Sequence, residues 1–137
     1  MPDVGTGPKL ATIKAEPALK LAMPNARQVG VIERDRVDTL EGRFAAFAGA
    51  DFETSATSDA VFAYYDSGLV ALGWTRDRSP ILATIEAAGR AWCKPRMVFS
   101  VTIFDPKPAA LRGITIPAGN IRYQAGILGT AGTCPEG

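Results

Sequence analysis

The sequence predicts an α+β domain of two layers, a mainly antiparallel sheet with one main helix packed across one face. Three observations carry this. The segment from Ser58 to Leu72 has helical periodicity and signals at both ends, β-prone segments stand before and after it, and the composition supplies a core. Hydrophobic residues make up 47% of the 137 residues and charged residues 21%, a balance that suits one globular domain.

Residues 1 to 26 are expected to form an extended N-terminal arm or linker, because Pro2, Gly5, Gly7, Pro8, Pro17 and Pro24 interrupt any long regular element. A short turn over Pro17 to Ala22 would let Leu19, Leu21 and Met23 dock on the domain, which then spans residues 27–137. Val29 to Arg34 and Arg43 to Thr54 read as the two arms of a β-hairpin, with Asp38, Thr39, Glu41 and Gly42 in the turn. In the second arm Phe44, Ala46, Ala48 and Ala50 share a face, whereas Phe47 and Phe52 fall on opposite faces. Gly49 suggests a bulge or a bend that brings those two rings to one side.

The helix follows. Thr57 and Ser58 offer capping hydroxyls, and Asp59 places negative charge in the first turn, where the helix dipole favours it. Val61, Tyr65, Leu69 and Leu72 mark the buried stripe; Gly73 then suits a left-handed C-cap, with Trp74 as the apolar residue past the end. Residues 81–92 fit either a helix begun by Ser79 and Pro80 or a strand ending at Lys94 before a Pro95–Arg96 turn, and the strand is favoured. Met97 to Phe104 is strongly β-prone, with Phe99, Val101 and Ile103 on one face and a firm stop at Asp105 to Pro108. Leu111 to Pro117 reads as loop or short edge strand, and Asn120 to Leu128 as the last strand.

Charge excludes some functions. Fifteen basic and 14 acidic side chains leave a formal charge of +1, without the basic excess that phosphate contacts require, so no nucleic-acid partner is expected. No segment is long and apolar enough to span a bilayer, and Met1 to Lys20 lacks the apolar core of a signal peptide. Read literally, the chain is cytoplasmic or a piece of a longer, processed protein.

Chemistry is sparse. With no histidine, acid–base work would fall to Asp51, Glu53, Asp66, Glu86 or Asp105; Asp51 and Glu53 share a strand face and can be written as a carboxylate pair. The two cysteines, Cys93 and Cys134, fit no zinc spacing, and Cys93 lacks an imidazole to activate it. They are either isolated thiols or one disulfide tying the C-terminal tail to a strand. Val4-Gly5-Thr6-Gly7 lacks the third glycine and the preceding strand of a dinucleotide fingerprint. Neither cofactor, metal nor catalytic residue is therefore expected. Phe62 and Tyr64 lie off the helix stripe and are candidates for a contact surface.

One stretch resembles a known type of domain. Val61-Phe62-Ala63-Tyr64-Tyr65 followed by Leu69 and Leu72-Gly73-Trp74 matches a helix pattern V-x-x-[FY]-Y leading into L-x-x-L-G-W. Trp92 and Val101-Thr102-Ile103-Phe104-Asp105-Pro106 then stand where that pattern has a tryptophan strand and a V-x-I-x-D-P end. The chain thus resembles membrane-tethered or lipoprotein-type extracytoplasmic domains of actinobacteria, over about residues 20–128 and most specifically over 58–105. The resemblance implies an extracytoplasmic, membrane-associated place, a tether outside this chain, and binding of a protein partner without catalysis, as in an accessory subunit of a membrane complex. It supplies no catalytic residues. An oxidising compartment would favour a Cys93–Cys134 disulfide, closing a loop of about 40 residues and adding roughly 3–4 kcal/mol through lost chain entropy. The competing expectations are a structural protein of a virus or phage particle, docking through its N-terminal arm, and a small carboxylate-dependent enzyme.

Overall fold

A computed structural model of the chain describes residues 7–39, 42–77, 87–104 and 119–130. A short helix α1 (Leu10–Lys14) and a 3₁₀ turn (Pro17–Lys20) precede the first strand. Then come β1 (Ala26–Arg34), β2 (Val37–Thr39), β3 (Gly42–Phe44), β4 (Phe47–Thr54), α2 (Ser58–Ala71), β5 (Thr75–Asp77), β6 (Ala87–Lys94), β7 (Met97–Phe104) and β8 (Ile121–Gly129). Six strands form one antiparallel sheet in the order β1-β4-β8-β7-β6-β5, with α2 packed across one face, so the chain is an α+β two-layer domain.

Helix α2 forms where its local signals place it. The Thr57 hydroxyl accepts the Ala60 amide at 3.1 Å, satisfying one of the free donors of the first turn. At the other end Gly73 adopts φ +90°, and the Gly73 and Trp74 amides donate to the Val70 and Leu69 carbonyls. That paired closure is a Schellman motif. Val61, Tyr65 and Leu69 are fully buried as expected, but Leu72 is 37% exposed. The helix ends one residue earlier, and Trp74, 2% exposed beyond the turn, takes the buried place instead.

The hairpin is one long ribbon. Thr39 pairs with Gly42, Val37 with Phe44, and the same register continues through Arg34↔Phe47 to Gly30↔Asp51. The ladder is interrupted at residues 35–36 and 45–46, where the N-terminal segment is tied in. Asp35 accepts the Leu10 amide at 3.0 Å, and Arg36 donates to the Gly7 carbonyl at 2.8 Å. The register shift lies between Gln28 and Gly30, making Val29 the bulged residue; Gly49 pairs regularly with Ile32 and Gly126. The expected bulge at Gly49 is therefore absent, and Phe47 and Phe52 stay on opposite faces. Gly49 serves close approach: a Cβ there would stand 2.6 Å from the Ala125 carbonyl oxygen. At Gly126 a Cβ would stand 2.6 Å from the Phe47 ring, which lies over this glycine pair.

The strand reading of the 81–92 segment holds over Ala87–Lys94; residues 78–86, like Leu111 to Pro117, lie outside the described residues. Strand β5 was not anticipated from the sequence. It is three residues long and exists by pairing Thr75 with Cys93 and Arg76 with Trp92.

Register fixes the rows of side chains beneath the helical layer. One row runs Trp92, Phe99, Ile127, Ala48, Glu33, and the next runs Arg90, Val101, Ala125, Ala50, Val31. Bulk falls away along both toward alanines beside β1, from Trp92 and Phe99 in the first row and from Arg90 and Val101 in the second. Helix α2 lies over β5–β7, and α1 lies over β4 and β8. Ile13 and Ala18 are fully buried and Met23 is 8% exposed, so the described part of the lead-in, from Gly7, packs on the sheet as a strap.

Candidate functional site

The loss of bulk across the sheet leaves a cleft of about 240 Å³ between the strap and the hairpin. Its floor is Ala48, Ala50 and Ala125, and the Phe52 and Phe99 rings also line it. Leu19 and Leu21 of the strap form one wall, and Val31 and Gln28 of β1 form the other. Leu21 is seated against Gly68 of α2, where a Cβ would come within 3.0 Å of its methyl carbon. At the rim Lys14 pairs with Glu33 at 3.0 Å, bridging α1 and β1. Val31 is 62% exposed at the mouth. Among the described residues β1 pairs only with β4 and so ends the sheet.

Deeper under α2 the interface is dry and aromatic. Tyr65 and Tyr123 are fully buried with their hydroxyls 3.3 Å apart. Phe52 stacks on Tyr123 at 5.1 Å, and Tyr65 tilts against Phe99 at 5.7 Å. Burial holds both phenols above the usual tyrosine range; the hydrogen bond to Tyr123 pushes Tyr65 further up. Both therefore stay neutral and act as packed, polar-tipped rings.

The carboxylates flagged from sequence lie elsewhere. Asp51 and Glu53 do share a face, but it is the one opposite α2 and the cleft. Asp51 accepts from Arg122 at 3.0 Å and Gln124 at 3.1 Å, and Glu53, 7% exposed, accepts from Arg27 at 2.8 Å. Asp66 accepts the Trp92 indole N–H at 2.8 Å. Each thus neutralises a cation or satisfies a buried donor. Glu86 and Asp105 lie outside the described residues. Among those described, no three cysteine, aspartate or glutamate side chains gather as a metal site would need.

Phe62 lies under the Arg90 guanidinium, 4.6 Å from ring centre to carbon, and Tyr64 donates its hydroxyl to the Ala22 carbonyl at 2.8 Å. Both rings are partly buried against the core, so their described contacts are internal. Tyr64 anchors the strap. Cys93 sits on β6, 2% exposed, on the face opposite Trp92; Cys134 lies outside the described residues.

Sequence reasoning missed the cleft itself. Its one local signal was the alternation of Ala46, Ala48 and Ala50, which marks a face with little bulk. Comparison with protein-family models, curated proteins and solved structures finds no match for this chain.

Proposed function

We infer that the chain is a non-catalytic binding domain of the bacterial cell envelope that engages a protein partner, in the manner of an accessory subunit of a membrane complex. The observation that carries the reading is the cleft beside β1. It is concave, has an alanine floor and leucine and valine walls beneath a polar rim of Lys14, Gln28 and Glu33, and is open along a sheet edge, with the Glu33 carboxylate held by Lys14. The helix-and-turn resemblance supports the compartment. Among the described residues no helix is long and apolar enough to cross a membrane, and the tether is proposed to lie outside this chain. The particle-protein alternative loses its main support from the strap, which from Gly7 onward docks on its own sheet through Ile13, Ala18 and Met23.

A Cys93–Cys134 disulfide belongs to the same proposal. Cys93 is buried, these are the chain's two cysteines, and no cysteine among the described residues is free. Cell fractionation combined with thiol titration in denaturant, without reductant, tests the reading. Recovery with membranes or outside the cytoplasm, with no titratable thiol, is expected. Recovery in the cytoplasm alone with two free thiols overturns it.

A further inference from the structure

We propose that β1 is a peptide-recognition edge. An extended segment of a partner protein adds antiparallel to β1 and places one apolar side chain in the cleft and a carboxylate on the opposite face at each end. This deepens the reading of the chain as a protein-binding domain and rests on it.

The size of the cleft comes first. At about 240 Å³ it is below the roughly 300–1,000 Å³ usual for cofactor and drug-sized ligands, yet it accommodates one large side chain. Its mouth lies beside Gln28, Val31 and Glu33 of the nine-residue β1, which ends the sheet among the described residues, so main-chain hydrogen bonding is offered beside the side-chain socket. That pairing of edge and pocket is how strand addition combines affinity with selectivity.

Register supplies the charge pattern. Val31 faces the cleft opposite Ala50. The bulge at Val29 leaves Arg27 opposite Glu53 and Arg34 opposite Phe47, three ladder positions on either side of Val31 and both on the face away from the cleft. Arg27 is 75% exposed beyond its contact with Glu53, and Arg34 is exposed with its Nε on the Ala45 carbonyl. A second copy of the chain is the wrong occupant. Antiparallel β1–β1 pairing centred on Val31 would set Arg27 opposite Arg34 twice, and like charges directly opposed destabilise a sheet. A strand of pattern [DE]-x-x-Φ-x-x-[DE], with Φ a large apolar residue, matches every position. Φ enters the cleft, and the flanking carboxylates meet Arg27 and Arg34.

The probe is the peptide acetyl-Glu-Thr-Val-Phe-Val-Thr-Glu-amide, titrated into the isotope-labelled full chain and followed by amide NMR. Shifts are expected at residues 26–34 and around Ala48, Ala50 and Leu21. Replacing the central Phe by Asp, or filling the cleft with Ala50→Leu in a chain that keeps its dispersed spectrum, should weaken binding about 10- to 100-fold, the worth of one buried apolar side chain. Arg34→Glu should reverse the preference, so that the peptide with Lys in place of Glu at the strand end facing Arg34 binds better. The proposal is overturned by any of four results: no β1 shift at millimolar peptide, equal binding of the Lys-flanked peptide to the native chain, indifference to Ala50→Leu, or concentration-dependent β1 shifts without peptide, which would point to self-association. Each of these leaves the compartment and thiol test standing, so the two readings fail separately.

Discussion

The paired tyrosines under α2 allow a sharp test of the dry interface. Tyr65 and Tyr123 are fully buried, with hydroxyls 3.3 Å apart. Tyr65→Phe removes one partner and leaves the other hydroxyl buried with its hydrogen bond unmade, at about 1–2 kcal/mol, and Tyr123→Phe should cost the same. The double substitution removes donor and acceptor together and should cost no more than about 1 kcal/mol. Urea unfolding followed by tryptophan fluorescence measures all four proteins. With an m-value of about 2 kcal/mol per molar, each single change lowers the midpoint by roughly 0.5–1 M. The expected coupling is about 1–3 kcal/mol. Additive losses would refute the reasoning, because they would mean each hydroxyl has another partner.

The same pair predicts alkaline sensitivity, with a definite sign. Burial, first, raises both phenols in the folded state, whereas unfolded tyrosine titrates near pH ~10. Above that pH the unfolded chain releases protons that the folded chain keeps. The stabilisation is therefore complete below about pH 10 and declines as pH rises, by up to about 1.4 kcal/mol per pH unit for each tyrosine. The double phenylalanine variant should flatten this decline, and an unchanged slope would assign it to other groups.

Three further substitutions test the framework. Gly126→Ala forces a Cβ to within 2.7 Å of the Ala48 carbonyl oxygen and 2.6 Å of the Phe47 ring, so thermal and urea unfolding should show a loss of about 1–3 kcal/mol. Thr57→Ala removes the cap on the Ala60 amide and should cost about 1 kcal/mol, with faster hydrogen exchange in the first turn of α2. Gly68→Ala should gain about 0.5–1 kcal/mol of helix stability while displacing Leu21, whose methyls lie 3.0 and 3.1 Å from the new carbon. Unfolding stability should then rise as amide protection over residues 17–23 falls, and protection that stays unchanged would show that Leu21 is not seated there.

Local signals were enough for the elements they specify. The Thr57 cap, the Val61–Tyr65–Leu69 stripe and the Gly73–Trp74 closure each act within a few residues, and each is found as the sequence predicts. What escaped was decided at a distance. Strand β5 has only three residues and follows from its pairing with β6. A glycine within a strand marks either a bulge or a close approach, and composition cannot choose between them. Contact with Ala125 and Gly126 assigns Gly49 to the second, while the bulge fell on Val29, a β-branched residue with no local signal for one. Asp51 and Glu53 were correctly set on one face, but only the register with Arg122, Gln124 and Arg27 shows that both are neutralised. The cleft depends on Ala125 meeting Ala50 across the sheet, 75 positions apart in the chain, whereas alternation speaks only of residues within one strand.

The bulge at Val29 connects the fold to the proposed role. Terminal strands are hazardous because their outer backbone groups invite pairing, and charge and bulges are the usual protection. β1 has both. The shift at Val29 places Arg27 and Arg34 at equal distances from Val31, so a second β1 meets like charge at both ends. The protection is directional, because a strand bearing carboxylates at those two positions meets opposite charge instead. Nothing in pure edge protection calls for the other half of the arrangement. An edge meant only to repel would gain from covering Val31, yet Val31 stands 62% exposed over an apolar floor with a leucine wall across from it. Protection alone accounts for the arginines; the exposed valine and the cleft behind it are accounted for when the edge is also a place where a chosen strand can pair.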